Sequence, residues 1–388
     1  MPHTELMVGN KAVAYGVKLA RVQVISAYPI TPQTTIVQYI AEFIANGEMK
    51  ARFIEVESEL SAMVAVQGAS FAGARTFTAT SGPGLFFMHH PMMEGADLPV
   101  VMGVVHRSNK SMQPDHTDLM AQRDNGWIQL YCENNQEALD TAIMSYKIAE
   151  DPRLSTPTTF GIDGYILSYT AEPVEIPDQE VVDDWLPLFK PKWVPDVNVP
   201  LAEWKKYQGR MYGSQKAWID HDTKFRSSLG VIKEVHRDFE KVFGRGYGNG
   251  LIEEHNCDGA EAVIVAMGTI ASTARVVVDD MRAEGNKIGL VKLKCYRPFP
   301  ADEFRSLAEK YHAIGVIDRN VSLGGGGNVF NETRSAIYDM EKRPRILGFH
   351  TGMAGEEVTP QMIRRIAEKT LKAVKEPIGP AVEWVGGA

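Results

Sequence analysis

The feature that most constrains this chain is the alternation of short apolar runs with helical patterns over its first 170 residues. Leu98–His106 is a continuous, mostly apolar run, the kind that is buried on both faces of a parallel sheet. Val22–Ala27, Arg52–Glu57 and Thr76–Ala79 read as further strands. Between them, Gly9–Ala20 carries Ala12, Val13, Gly16, Val17 and Ala20 on one helical face, and Thr34–Ala45 also reads as a helix. Glu59–Ala72, rich in Ala, Met and Val, predicts a buried helix, and Gln136–Ala149 an amphipathic one. This alternation predicts an α/β layer fold built on a parallel sheet.

The pattern then changes. Residues 171–200 hold six prolines (Pro173, Pro177, Pro187, Pro191, Pro195 and Pro200) and several acids, and read as an extended excursion or linker. Lys216–Val242 is strongly helical and is stopped by the glycines from Gly244. A second α/β unit begins near Glu261, with strands at Ala262–Met267, Lys287–Leu293 and Ala313–Asp318 and helices at Ala271–Glu284 and Ala301–Tyr311. The 388 residues fit two or three domains at about 150 residues each.

Composition removes several functional classes. Lys plus Arg total 41 and Asp plus Glu 49, so the net charge of −8 gives no electrostatic case for nucleic-acid binding. Cys132, Cys257 and Cys295 are far apart and include no Cys-x-x-Cys, so the chain has no thiolate set for an iron–sulfur cluster or structural zinc. Reduced structural thiols in a cytoplasmic protein are expected. Met-Pro-His-Thr-Glu-Leu-Met lacks the basic region and apolar run of a signal peptide, and Leu98–Val105 is far shorter than a membrane span of about 20 residues. No membrane insertion is expected.

In open parallel sheets ligands bind in loops at the carboxyl ends of strands. That rule selects Tyr28–Thr31, Glu55–Glu59, Thr80–Gly84 and Arg107–Asp118, expected on one edge of the first unit. Thr31 lies between two prolines; its hydroxyl is either a fixed donor to a substrate carboxylate or carbonyl, or bonded to its own turn. Of Glu55, Glu57 and Glu59, the last leads straight into an apolar run. A carboxyl there enters a buried setting suited to proton exchange, or else stabilises a helix amino terminus. Thr80-Ser81-Gly82-Pro83-Gly84 reads as a tight turn allowing close backbone approach to a ligand. Arg107 ends an apolar strand, suiting it to bidentate capture of a carboxylate or phosphate, the alternative being a salt bridge to Asp115 or Asp118. His89 and His90 are adjacent, so a helix points them apart, which argues against a shared metal. Gly324–Gly327 forms either an anion-binding nest or a flexible loop packing against a partner. The chain has no phosphate-loop motif and no Gly-Asp-Gly followed by an Asn-Asn pair.

Several segments together carry a family resemblance: Gly9-Asn10-Lys11-Ala12-Val13-Ala14-Tyr15-Gly16, Tyr28-Pro29-Ile30-Thr31-Pro32, Glu57-Ser58-Glu59, Asp115-His116-Thr117-Asp118 and Ala121-Gln122-Arg123-Asp124-Asn125-Gly126-Trp127. In this order they resemble the alpha subunit of the 2-oxoacid:ferredoxin oxidoreductases, with pyruvate-type members nearest. Arg297-Pro298-Phe299-Pro300 resembles the hallmark of that subunit's second domain. The resemblance implies a pyrimidine-type thiamine diphosphate-binding parallel-sheet domain over residues 1–170. A Pro-rich excursion and connecting helix over 171–250 would lead to a smaller transketolase-C-terminal-like domain over 251–388. It implies oxidative decarboxylation of a 2-oxo acid, transfer of the acyl group to coenzyme A, and electrons passed to ferredoxin or NAD through partners. A beta subunit would share the thiamine diphosphate and hold Mg²⁺, and gamma and delta subunits would complete a complex whose partners carry [4Fe-4S] clusters. By the same resemblance Glu59 bonds to the pyrimidine ring, and Thr31 and Arg107, with Asp115, meet the substrate. Tyr28, Pro29, Thr80, Ser81 and Gly82 would line the cofactor pocket. The loop from Arg107 to Asp115 is shorter than in pyruvate-type members, which usually carry an Asn-Ile-Trp stretch there. Phe86, Phe87 and the nearby methionines would then face a bulkier substrate, such as phenylglyoxylate or a branched-chain 2-oxo acid. Two rival readings share this pattern: a non-redox thiamine decarboxylase or transketolase-like enzyme, and a non-catalytic scaffold subunit.

Overall fold

The structure, a computed structural model, describes residues 2–191, 198, 214–376, 379 and 381–387. Its two main sheets are α/β layers. The first has seven strands in the order Cys295–Arg297, Ile128–Tyr131, Thr158–Asp163, Val101–His106, Thr76–Thr80, Val24–Ser26 and Arg52–Ile54. The pairings from Ile128–Tyr131 to Arg52–Ile54 are parallel. Every residue of Thr76–Thr80, Val101–His106 and Thr158–Asp163 is buried, which explains why these central strands lack an apolar–polar alternation. Thr158–Asp163 and Ile128–Tyr131 escaped recognition in the sequence because threonines and glutamine dilute their apolar content.

The second sheet has six strands in the order Val382–Trp384, Arg345–His350, Ala313–Asp318, Ala262–Ala266, Ile288–Leu293 and Ile252–His255; only the last is antiparallel to its neighbour. The two units are not separate beads. Cys295–Arg297 leaves the second unit to pair antiparallel with Ile128–Tyr131 of the first sheet. One apolar cluster joins Met63, Met88, Trp127 and Tyr131 of the first unit to Val263, Val291, Tyr296 and Phe304 of the second.

Three local expectations need correction. The Pro-rich stretch does not begin as a linker. Ala171–Ile176 pairs antiparallel with His3–Val8, and Gln179–Trp185 is a helix. Pro173 is tolerated because this two-stranded ribbon is all edge. Pro195 and Pro200 lie outside the described residues. Second, Gly82-Pro83-Gly84 is the first turn of a helix, Gly82–Phe87, with proline near its start where no intrahelical donor is lost. Third, Asn135–Ala149 is not half-exposed: 13 of its 15 residues are buried. Its polar side is covered by charge pairing: Glu137 accepts from Lys292 Nζ at 2.8 Å and Lys294 Nζ at 2.7 Å, and Asp140 pairs with Arg245 at 2.7 Å.

The three cysteines are free. Burial pushes the Cys132 thiol up to about 12, so it is an inert core group. Among the described residues, no helix is long and apolar enough to cross a membrane.

Candidate active site

The loops after Val24–Ser26, Arg52–Ile54, Thr76–Thr80 and Val101–His106 share one edge of the first sheet, because these strands are parallel neighbours. They bring Tyr28, Thr31, Glu59, Thr80, Ser81, Gly82 and Arg107 to that edge. Asn10, fully buried on the first helix, fastens the Tyr28–Pro32 loop by donating to the Pro32 carbonyl at 2.8 Å and to Thr35 Oγ1 at 2.7 Å.

The three glutamates separate. Glu55 and Glu57 are exposed and Glu59 is buried. Ser58 caps helix Glu59–Phe71 by accepting from Ser61 N at 3.3 Å, and the Glu57 carboxylate accepts from the Ser61 hydroxyl. The helix start is thus served without Glu59. Glu59 turns inward onto Gly84: a Cβ built on Gly84 would lie 2.6 Å from Glu59 Oε1 and 2.6 Å from Thr80 Oγ1. Thr80 Oγ1 and Ser81 Oγ are buried with no hydrogen-bond partner among the described residues.

Arg107 makes no salt bridge to Asp115 or Asp118. Its Nη1 donates to the Thr31 carbonyl at 3.0 Å, and its buried Nε has no partner among the described residues. Its stem runs over Gly82, where a built Cβ would come within 3.2 Å of Arg107 Cγ and Cδ. Asp118 bonds to the Arg107 backbone instead, with Oδ2 accepting from Arg107 N at 2.9 Å. Asp115 is fully buried and both of its oxygens are engaged: Oδ1 accepts from Thr117 N at 3.0 Å and Oδ2 from Ala354 N, in the second unit, at 2.9 Å.

Sequence reasoning missed the polar knot beneath this edge. His116 Nε2 pairs with Asp163 Oδ1 at 2.8 Å, and Asp163 Oδ2 accepts from Thr269 N at 3.0 Å and Arg319 Nη1 at 3.1 Å. Burial opposes the Asp163 charge, but the His116 ring and Arg319 guanidinium outweigh it and hold the carboxyl well below the usual range. Burial lowers the His116 pKa from its ordinary value, against the opposing pull of the Asp163 carboxylate. The second sheet reverses strand order between Ala262–Ala266 and Ala313–Asp318, which is where such sheets bind ligands. Here that crevice is filled from within, with Asp163 seated at the amino end of helix Thr269–Ala283. The strand-end rule selects Asp163 once Thr158–Asp163 is recognised as a strand.

Two alternatives are also answered. Asp318 accepts from Val329 N at 2.9 Å and Phe330 N at 3.0 Å, so the helix after Gly324–Gly327 already has its own carboxylate and the loop is not an open anion nest. His89 and His90 are exposed, and His89 Nδ1 pairs with Gln122 Oε1. Among the described residues the one His/Asp cluster with metal-like spacing is His106, His116 and Asp163. Its Asp163 oxygens are already bonded to His116, Thr269 and Arg319, and a guanidinium beside a cation is unfavourable.

The methionines expected to face the substrate do not. Met88 and Met92 are fully buried in the core with Ala62, Met63 and Leu85. Met93 lines a separate cleft of about 1000 Å³ with Asp97, Arg123 and Trp218.

Residues 15–228 match the family described as pyruvate flavodoxin/ferredoxin oxidoreductase, thiamine diP-binding, and residues 260–363 match pyruvate:ferredoxin oxidoreductase core domain II. The chain is 43% identical to pyruvate synthase subunit PorA of Pyrococcus horikoshii, over 100% of this chain and 98% of that one. It is 40% identical to the PorA subunit of Methanothermobacter thermautotrophicus, over 97% and 96%. It is also 40% identical to ketoisovalerate oxidoreductase subunit VorA of Pyrococcus abyssi, over 99% and 98%. Among solved structures it resembles 2-oxoglutarate:ferredoxin oxidoreductase from Magnetococcus marinus with 2-oxoglutarate, coenzyme A and succinyl-CoA bound (TM-score 0.70, 20% identity, 95% of this chain). It spans 65% of that solved chain. It also resembles a split-gene transketolase in an inactive beta4 tetramer (TM-score 0.55, 14% identity, 94% of this chain and 99% of that one). These last two are likenesses of fold.

Proposed function

The chain belongs to the 2-oxoacid:ferredoxin oxidoreductase family as an alpha subunit, and on that premise we propose that it carries the pyrimidine half of a thiamine diphosphate site that oxidatively decarboxylates pyruvate to acetyl-CoA. The observation that carries this reading is the convergence of buried Glu59, unpartnered Thr80 and Ser81 hydroxyls, side-chain-free Gly84 and the Arg107–Thr31 pair on one sheet edge. Orphaned buried polar atoms beside a glycine cradle fit a flat heteroaromatic group with its own donors and acceptors. When bound, thiamine diphosphate supplies the carbanion chemistry that cleaves the bond between the carboxylate and carbonyl carbons of a 2-oxo acid.

The chain's own groups then have distinct work. The Glu59 carboxyl group would hydrogen-bond the pyrimidine ring, in a buried setting that excludes water. The Thr80 and Ser81 hydroxyls complete that pocket. Arg107, anchored through Nη1 on the Thr31 carbonyl, keeps its other donors for the substrate carboxylate. The Thr31 hydroxyl adds a donor beside it. Asp115, with both oxygens committed, acts as a tether rather than a substrate ligand.

The reading extends to the rest of the enzyme. A beta subunit supplies the diphosphate and Mg²⁺ half of the site, and gamma and delta subunits complete the complex. The iron–sulfur clusters that these partners carry pass electrons to ferredoxin or an NAD-reducing subunit, with coenzyme A taking the acyl group. The relatives described above are themselves named as subunits.

Placement of Met88 and Met92 in the core withdraws two of the side chains expected beside Phe86 and Phe87 around a bulkier substrate, which favours pyruvate over phenylglyoxylate. The test is CoA-dependent reduction of ferredoxin by the purified complex. Pyruvate is expected to exceed phenylglyoxylate in kcat/KM by tenfold or more, about 1.4 kcal/mol in transition-state binding. A higher kcat/KM with phenylglyoxylate would restore the bulky-substrate reading. Turnover without reduction of any cluster would point to the non-redox decarboxylase.

A further inference from the structure

Asp118 lies in the one-turn helix Thr117–Met120, fully buried, and touches none of the site's open groups. Its contacts nevertheless reach both halves of the site. Oδ2 accepts from Gly82 N at 3.2 Å and from Arg107 N at 2.9 Å. Oδ1 accepts from Leu119 N at 2.7 Å and pairs with His106 Nδ1 at 3.0 Å. A single oxygen thus joins the turn that opens the cofactor pocket to the backbone of the arginine that faces the substrate.

We propose that Asp118 is a positioning residue of this site: its carboxylate sets the Thr80–Gly84 turn and Arg107 in register. The geometry shows how. Gly82 has φ +42° and lies directly under the Arg107 stem, so any shift of this turn moves the guanidinium. Gly82 has no side chain to lock, and among the described residues the Arg107 guanidinium hydrogen-bonds to the Thr31 carbonyl. Charge-assisted acceptance by a carboxylate is about twice as strong as a neutral hydrogen bond, and Asp118 makes it to both loops.

Asp118 is itself fixed from the second unit. His116 N donates to the Arg319 carbonyl at 2.9 Å, and Asp115 Oδ2 accepts from Ala354 N at 2.9 Å. The Asp115–Asp118 segment therefore carries the placement of the second unit to the substrate arginine, with Asp115, expected from the sequence to meet the substrate, committed through both oxygens to backbone N–H groups.

The proposal rests on Arg107 meeting the substrate carboxylate, and the test separates the two. Asp118→Asn places an amide NH₂ against a backbone N–H whichever way the amide is turned, since both oxygens face backbone donors. In the assembled complex, Asp118→Asn is expected to raise KM for the 2-oxo acid at least about tenfold, with a smaller fall in kcat. In an Arg107→Ala background the same change is expected to add less than roughly twofold, because its effect runs through that arginine.

A merely structural role would lower the melting temperature or yield and leave KM of the assembled complex unchanged; that result, or additive effects in the double variant, overturns the proposal. Arg107→Ala with unaltered KM overturns the Arg107 reading and the proposal together. Should Asp118→Asn fail to assemble, His106→Phe carries the test. It keeps a ring stacked on Tyr131, whose centroid lies 5.1 Å away, and takes one donor from Asp118. KM is then expected to rise about threefold, and an unchanged KM rejects the proposal.

Discussion

At Glu59 the helix start and the site make different demands on one carboxyl group. Ser58 and Glu57 satisfy the first demand, which leaves Glu59 free for the second. That division was half legible in the sequence: three carboxylates at alternate positions pointed to the strand end, but not to which one turns inward. Only the packing of Gly84 against the Glu59 carboxyl makes the choice. Glu59→Gln keeps the volume and removes the ionisable carboxyl group, so assembly and thermal stability are expected to hold. Turnover of the complex is expected to fall by roughly 100-fold or more, the scale of a lost acid–base group. Retained turnover would support the scaffold alternative.

At the scale of the element, the helices Gly9–Leu19 and Asn135–Ala149 lie against one another at Gly16. A Cβ built there would sit 2.6 Å from Ala142 Cβ and 2.7 Å from the Leu139 carbonyl oxygen. Two effects oppose each other in Gly16→Ala. Helix propensity favours alanine by about 1 kcal/mol. Overpacking against backbone costs roughly 1–3 kcal/mol or more, and the contact to a carbonyl oxygen leaves little room to relax. Net destabilisation is expected in denaturant titration, and an unchanged or raised midpoint would show that the helices can slide apart. The same helix shows where periodicity stops informing. A polar stripe of Glu137, Asp140 and Thr141 reads as a solvated face, yet Lys292, Lys294 and Arg245 bury it.

At the scale of the whole molecule, the Glu137 cluster joins the two units. Its lysines come from Ile288–Leu293 and the residue just after it, and its carboxylate from the first unit. Burial opposes the Glu137 charge, but Lys292 and Lys294 outweigh it and hold the carboxyl at about 2, against 4.5 ordinarily. The folded state thus binds this proton less readily than the unfolded chain. The resulting stability is fully present above pH 4.5 and is lost as pH falls toward 2. Unfolding midpoints measured between neutral and acid pH are expected to drop through that window, and to drop less steeply in Glu137→Gln. That variant strands two buried ammonium groups and is expected to lose roughly 3–5 kcal/mol at neutral pH. A variant as stable as the parent at neutral pH would mean that the cluster is dispensable for joining the units.

The sequence by itself determined the α/β alternation, seven of the strands, the longer helices of both units, and the loops that carry Thr31, Glu59, Thr80 and Arg107. Helical and strand periodicities are written in neighbouring residues, and strand ends follow from them. Tertiary structure alone decided which polar groups are buried together. Asp118 bonds to Gly82, 36 positions away, and Asp163 to Thr269, 106 positions away. It also decided that Cys295–Arg297 crosses to the first sheet. The free energy of such pairings depends on desolvation at sites assembled from distant segments, and no local pattern of residues encodes it.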